Sequence, residues 1–375
     1  MDALTTPSNW QRVRLGDIGK PCMCKRVMKH QTTRYGEIPF YKIGTFGNTA
    51  DAFISKKLFL EYKTKYSFPK KGDILISASG TIGRAVIYDG KPAYFQDSNI
   101  VWIDNDETLV KNDFLFYAYS NVKWDTEHTT ILRLYNDNFK NTLIPLPPLN
   151  EQIAIANILS DVDRYLYSLD ALILKKESIK KALSFELLSQ RKRLKGFNQN
   201  WQRVRLGDIC EITTGSLDAN EMVYYGKYRF YTCAKEYYFI DKYAFDTEAI
   251  LISGNGAYVG YVHYYKGKFN AYQRTYVLDN FSEHIMFVKY FLTMFLQSHI
   301  QTNKNEGNTP YIVMATLKDF EILLPPLNEQ IAIANILSAL DNEIASLKNK
   351  KRQFENIKKA LNHDLMSAKI RVLKK

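Results

Sequence analysis

Lys25, Arg26, Lys29 and Arg34 place four cations within ten residues and lead directly into Tyr35. That grouping suits phosphate oxygens or the edges of bases. Thr45 and Asn48 sit in a polar loop bounded by Gly44 and Gly47. Ser77, Ser79, Thr81 and Arg84 surround a short apolar run, Ile74-Leu75-Ile76, and the glycine turn after it. Gln96, Asp97, Ser98 and Asn99 form an unbroken run of hydrogen-bonding side chains. Farther along, the candidates thin out in charge and gain tyrosine: Lys227, Tyr231, Lys235, Asn255, Tyr258, Gln273, Arg274, Asn303 and Lys304. Taken singly, each residue also suits an ordinary turn or a solvated surface. Their clustering is what makes them candidate nucleic-acid contacts.

Other chemistries find little support. A nucleotide-binding loop needs G-x-x-x-x-G-K-[ST], and Gly80-Thr81-Ile82-Gly83 lacks the lysine. Cys22, Cys24, Cys210 and Cys233 make no C-x-x-C pair, and six histidines are scattered, so reduced structural thiols and no metal site are expected. No cofactor is expected. No apolar run reaches the roughly 18 residues of a membrane span. Residues 1–9 are polar, without the apolar core of a signal peptide, which points to a cytoplasmic protein with no membrane partner.

The net charge of +12 favours an anionic partner, most often nucleic acid. The excess is uneven. Lysine and arginine outnumber the acids 20 to 15 over residues 1–145 but trail them 12 to 13 over residues 201–324. Bulk attraction therefore serves the first region better than the second.

The elements that must position these residues are written twice. Residues 9–18 and 200–209 both read NWQRVRLGDI, at an offset of 191. Residues 146–160 and 324–338 both read LPPLNEQIAIANILS, at an offset of 178, so the second intervening stretch is shorter by 13 residues. Repeats of this size set the domain plan before any local pattern does. Between the matched ends the copies share a strand pattern, Ile74-Leu75-Ile76-Ser77 and Ile250-Leu251-Ile252-Ser253, each followed by a glycine-rich turn. The plan is a globular domain over 1–145, a long helix over 146–195, a second domain over 196–324 and a second long helix over 325–375.

Pro147-Pro148 and Pro325-Pro326 break what precedes each helix. Asn150 and Asn328 suit its N-cap, with Glu151 and Glu329 in the first turn. Ile155, Leu159, Val162, Leu166, Leu169 and Ile173 then alternate spacings of four and three, as do Ile333, Leu337, Leu340, Ile344 and Leu347. That is a coiled-coil seam, and antiparallel pairing of the two helices is expected. Lys175-Lys176, Lys180-Lys181 and Lys350-Lys351-Arg352 read as solvated faces. The helix starts are apolar around more of their circumference than one seam requires. Glu151, Gln152, Ile155, Ile158 and Leu159, with Glu329, Gln330, Ile333, Ile336 and Leu337, are therefore candidate docking residues for a partner; burial against the helix's own domain is the alternative.

The doubled Pro-Pro-Leu-Asn-Glu-Gln segment and the W-x-x-V-x-L-G-D-I openings at Trp10 and Trp201 carry a resemblance, joined by Gly72-Asp73-Ile74-Leu75-Ile76-Ser77 and Gly80-Thr81-Ile82-Gly83. Over essentially its whole length the chain resembles the specificity subunit of type I restriction–modification systems. The resemblance implies a mixed α/β fold: two target-recognition domains joined by two long antiparallel coiled-coil helices, with pseudo-two-fold character. Each domain would read one half of a split, asymmetric site in double-stranded DNA. The helices would space the halves and dock two methyltransferase (modification) subunits, with motor–endonuclease (restriction) subunits completing the complex. The chain itself would not be an enzyme. Asn308-Thr309-Pro310-Tyr311 is similar to the N-P-P-Y signature of amino-methyltransferases but has threonine for the first proline, and no glycine-rich cofactor motif follows a strand. The competing readings are a stand-alone methyltransferase or nuclease, and a scaffold binding nucleic acid without sequence preference.

Overall fold

The structure, a computed structural model, describes residues 9–128, 132–302 and 310–372. The chain divides into two compact units, Met1–Leu169 with Lys350–Lys375, and Asp170–Asn349. The boundary falls inside both long helices, which run Leu149–Leu188 and Leu327–Met366. Each helix starts at the leucine after the proline pair, two residues earlier than the Glu151 or Glu329 start that an Asn150 or Asn328 cap requires. The asparagines instead lie in the first turn, where their Oδ1 atoms accept from the Glu151 and Glu329 amides at 2.9 Å.

In the first unit, strand Gln11–Arg14 pairs antiparallel with Leu143–Leu146, so the two ends of the domain are closed on each other beside the helix start. A four-stranded antiparallel sheet follows in the order Gly19–Met23, Ile100–Asn105, Ile74–Ser77, Ala85–Ile87. A three-stranded sheet contains Phe53–Ile54, Ile38–Tyr41 and Tyr94–Phe95, the last pair parallel. The run Ile74–Ser77 is apolar without alternation because both faces of its sheet are covered. Ile74 and Ile76 join one core with Phe114, Leu115, Ile155 and Leu159, while Leu75 joins the other with Phe40, Phe59 and Trp102.

The second unit repeats this plan. Gln202–Arg205 pairs with Glu321–Leu324. A six-stranded sheet runs Glu211–Thr214, Thr275–Asp279, Phe245–Ser253, Val262–Ala271, Tyr228–Tyr231, Tyr238–Ile240. Ile250 and Ile252 face a core with Phe287, Ile333 and Leu337, and Leu251 faces another with Tyr231 and Phe269. Two differences separate the copies. Val262–Ala271 is one strand, whereas in the first unit Ala85–Ile87 and Tyr94–Phe95 are separated by a segment holding Gly90 and Pro92, which splits the sheet. The ten-residue helix Lys56–Lys65, capped by the Ser55 hydroxyl, has no counterpart and supplies most of the 13-residue difference in length.

Within each unit the two helical segments run antiparallel. In the first, Asp163 meets Lys358 and the Tyr165 ring meets Phe354 at 4.7 Å. In the second, Lys176 meets Glu343 at 2.7 Å and Glu177 meets Lys348 at 2.6 Å. Lys176 and Lys180 are thus paired with acids, not merely solvated.

Candidate nucleic-acid interface

The repeated motifs meet in a latch that recurs in both units. In the first, Glu151 is buried and accepts Trp10 Nε1 at 3.0 Å, Arg371 Nε at 2.7 Å and Arg371 Nη2 at 2.9 Å. In the second, Glu329 accepts Trp201 Nε1 at 3.1 Å, Arg193 Nε at 3.2 Å and Arg193 Nη2 at 2.6 Å. Both carboxylates are held by a bidentate guanidinium, the geometry that best compensates a buried charge. Hydrogen bonding to Glu151 raises Arg371 above its ordinary value. The neighbouring glutamines fasten the domains from the same turn. Gln152 donates to the Leu109 and Pro147 carbonyls and accepts the Lys111 amide, just before helix Asn112–Tyr119. Gln330 donates to the Pro325 carbonyl and to Glu283, and accepts the His284 amide, just before helix Ile285–Thr302.

A second device repeats farther along. The Tyr117 hydroxyl donates to Asp163 at 2.8 Å, and Lys358 pairs with the other carboxylate oxygen at 2.5 Å. The Tyr290 hydroxyl donates to Asp341 at 2.7 Å, and Lys180 pairs with it. Burial tends to raise Asp341, but the hydrogen bonds and charge of Lys180 and Tyr290, with Lys289, hold it below the usual carboxylate range. Burial pushes both tyrosine hydroxyls up, and the adjoining aspartates add to it.

These contacts correct the docking expectation. Ile155, Leu159, Ile333 and Leu337 are core residues, and Glu151, Gln152, Glu329 and Gln330 are buried polar groups satisfied inside their own units. Ile158 and Ile336 are partly buried against the same cores. The physical reason is that the extra apolar breadth of each helix start faces the sheet and helix of its own domain. Leu149, Ile153, Leu327 and Ile331 are the apolar residues left exposed, at matching positions.

The polar candidates of the first domain converge at one end of the sheets. Gln96 Oε1 accepts the Ile43 amide at 3.0 Å, and Arg84 Nη1 donates to the Phe46 carbonyl at 3.0 Å. Asn99 Oδ1 accepts from Ser79 at 2.8 Å and from Arg133 at 3.2 Å, while Arg26 pairs with Asp97 at 2.8 Å. Loops 42–48, 78–84 and 96–99 thereby form one polar edge. Thr81, Arg84, Asn48 and Arg26 are exposed on it, and Ser98 has a left-handed φ of 53°. Ser77 and Ser79 are buried structural members: Ser77 Oγ donates to the Thr81 carbonyl and accepts the Arg84 amide, closing the turn. Thr45 accepts the Lys42 amide within its own loop. Lys25 lies over the Tyr66 ring, while Lys29, Arg34 and Tyr35 are exposed on the segment leading into Ile38–Tyr41. The turn demands glycine at position 83, where φ is 83° and a Cβ would lie 2.1 Å from Trp124 Nε1.

The second domain builds the corresponding edge with other residues. Its turn after Ser253 is one residue longer and bridges Asn255 to Tyr311, where the first domain bridges Ser79 to Arg133. Lys235 lies over the Tyr258 ring at 5.1 Å, Gln273 donates to Asp218 at 3.1 Å, and the Arg274 carbonyl accepts the Gly254 amide. Lys227 and Arg274 are exposed. Tyr231 is buried, its ring against Phe269 and Tyr265, and its hydroxyl accepts from Arg229 at 3.4 Å. Arg229, which the sequence did not single out, lies between the Tyr237 and Tyr265 rings at 4.3 and 4.5 Å. Asn303, Lys304, Asn308 and Thr309 lie outside the described residues. Among the described residues, no group of His, Cys, Asp and Glu could hold a metal ion, and no helix is long and apolar enough to cross a membrane.

Fold and latches together define a class of protein in which one helical frame, repeated, carries two domains of common fold and unlike polar edges. A family model described as the type I restriction modification DNA specificity domain matches residues 7–179 and again residues 198–356. The chain belongs to that family. It is 64% identical over 148 residues to a type I restriction enzyme specificity subunit of Haemophilus influenzae, a stretch covering 39% of this chain and 38% of that protein. Against the MjaVIII specificity subunit of Methanocaldococcus jannaschii it is 27% identical across 99% of this chain and 95% of that one. The crystal structure of a type I restriction–modification S subunit from M. genitalium superposes with a TM-score of 0.66 at 18% identity, covering 98% of each chain, which establishes the shared fold.

Proposed function

We propose that this chain is the non-catalytic DNA-specificity subunit of a type I restriction–modification complex, acting in the cytoplasm. Its domains over 1–145 and 196–324 each read one half of a bipartite, asymmetric site in double-stranded DNA, and segments 146–195 and 325–375 act as spacer and dock. The carrying observation is the duplicated latch. The same Trp–Glu–Arg and Tyr–Asp–Lys contacts hold both domains, while the loop edges they support differ residue by residue. Equivalent supports with unlike readers suit a non-palindromic site, because phosphate contacts position and base contacts specify. On the first edge Arg84, Arg26, Thr81, Asn48 and the Gln96–Asn99 run are the contacting groups. On the second they are Lys227, Lys235, Asn255, Tyr258, Gln273 and Arg274. Each helix start presents an exposed pair, Leu149 with Ile153 and Leu327 with Ile331, to one methyltransferase subunit. Motor–endonuclease subunits join that assembly.

The deciding experiment is co-purification with the methyltransferase followed by methylome sequencing. Deleting the chain should erase methylation at a single bipartite motif. An unchanged methylome, or S-adenosylmethionine binding by the isolated chain, would sink the reading.

A further inference from the structure

The geometry points to an aromatic wedge on each reading domain: Tyr35 on the first, and the pair Tyr224-Tyr225 on the second, insert against the base stack at the flank of each half-site. This deepens the DNA-specificity reading and rests on it. Tyr35 is 87% exposed and Tyr224 and Tyr225 are each 94% exposed. At such values the whole ring stands clear of its own protein. A tyrosine used only to reach a phosphate would more naturally lay its ring on the surface and extend the hydroxyl.

The rings sit at the same structural position. Each follows a one-turn 3-10 helix, Lys29–Gln31 or Ala219–Glu221, and precedes the equivalent strand, Ile38–Tyr41 or Tyr228–Tyr231. Two residues before Tyr35 and Tyr225 the backbone is pinned to the neighbouring strand, through Thr33 with Phe53 and Val223 with Phe239. The Thr33 hydroxyl also donates to the Tyr35 carbonyl at 2.7 Å. Immediately after each ring comes a glycine pressed on that strand. A Cβ on Gly36 would lie 2.8 Å from Phe53 Cβ, and one on Gly226 would lie 2.7 Å from the Ile240 amide nitrogen. The backbone is fixed while the side chain projects, so little loop entropy remains to be lost on insertion.

Charge explains why the two wedges differ. Tyr35 is flanked by exposed Lys29 and Arg34, which suit the phosphates on either side of an opened step. The second domain carries 12 cations against 13 acids over 201–324, and there the ring is doubled. Stacking supplies affinity without net charge, and wedged side chains between base steps kink the duplex.

The test uses the full-length chain and a duplex bearing the site defined by methylome sequencing, labelled at its ends for energy transfer. Local unstacking is read by 2-aminopurine at adenines and permanganate oxidation of thymines. Wild type should bend the duplex and unstack one step per half-site. Tyr35→Ala should abolish the first signal alone and weaken binding on the order of tenfold, whereas Tyr35→Phe should retain both. Tyr224→Ala with Tyr225→Ala should abolish only the second signal. Unchanged unstacking in the alanine variants overturns the wedge, and so does a phenylalanine variant that behaves like alanine, since the hydroxyl would then be the contact. Absence of any sequence preference in the wild type instead overturns the DNA reading and the wedge with it. Because these rings touch little of their own domain, unchanged melting of each variant controls for folding.

Discussion

Replacing Glu329 with glutamine tests whether the latch holds a domain to its helix start. The carboxylate is 1% exposed and takes three hydrogen bonds, two of them from Arg193, whose side chain is 27% exposed. Glutamine keeps the shape and one acceptor but removes the charge and turns an NH2 towards donors. Losing one partner of a buried ion pair costs about 3–5 kcal/mol. Since Arg193 is about one quarter open to water and can be partly resolvated, about 2–3 kcal/mol is the reasoned cost. For a unit of about 180 residues that is a fall of about 5–10 °C in melting temperature. Differential scanning calorimetry of the full chain should show the transition of the second unit moving while that of the first stays. Replacing Glu329 and Arg193 together by methionine should restore most of the loss, because an apolar pair leaves no stranded charge. A shift below about 1 °C for the single variant, or a double variant whose losses simply add, would refute the reasoning.

Three further outcomes follow from the geometry. Burial holds His263 and His284 below their ordinary value; such groups contribute stability that is present above the unfolded value near 6.5 and lost as pH falls through the lower folded value. The second unit should therefore melt progressively lower below about pH 6.5, and His263→Gln should flatten that slope. Gly83→Ala meets Trp124 at 2.1 Å on a left-handed backbone, so urea unfolding should show a loss of about 2 kcal/mol or more, and near-wild-type stability would discredit the turn geometry. Ile155→Asp puts a carboxylate at a site 1% exposed and should cost the first unit its fold, whereas Ile153→Asp with Ile331→Asp should leave melting unchanged and abolish methyltransferase capture in a pull-down.

The duplication, the order of domain and helix, and the buried run Ile74–Ser77 with its twin over residues 250–253 were legible because each is a local or periodic signal, and so was the apolar period at Ile155, Leu159, Ile333 and Leu337, although these four serve their own domains' cores. The use of the helix starts was not. Glu151 and Gln152 look like surface polar residues in sequence, since Trp10 and Arg371, which bury Glu151, lie 141 and 220 positions away. One signal was present: Arg193 and Arg371 obey the same 178-residue offset as the motifs, as do Asp163 with Asp341 and Lys180 with Lys358. Matching offsets beyond the apolar positions would have found both devices. Ser77 and Tyr231 look like contacts by type, yet a strand buried on both faces turns them inward. The helix Lys56–Lys65 escaped notice because it is polar overall, fully buries only Phe59, and has no twin to flag it.

The first unit is discontinuous, and this orders events during synthesis. Residues up to Leu169 leave the ribosome early, but Leu365, Met366 and Arg371, which complete that unit's core and neutralise Glu151, come last. At about 5–20 residues per second the wait is on the order of ten to forty seconds. Throughout it the first domain carries an unpaired carboxylate and an open apolar face, whereas the second has both halves of its latch as soon as Glu329 is made, before Arg371. The domain translated first is therefore the one finished last, and a nascent chain stalled before residue 365 should be caught by chaperones through its N-terminal half.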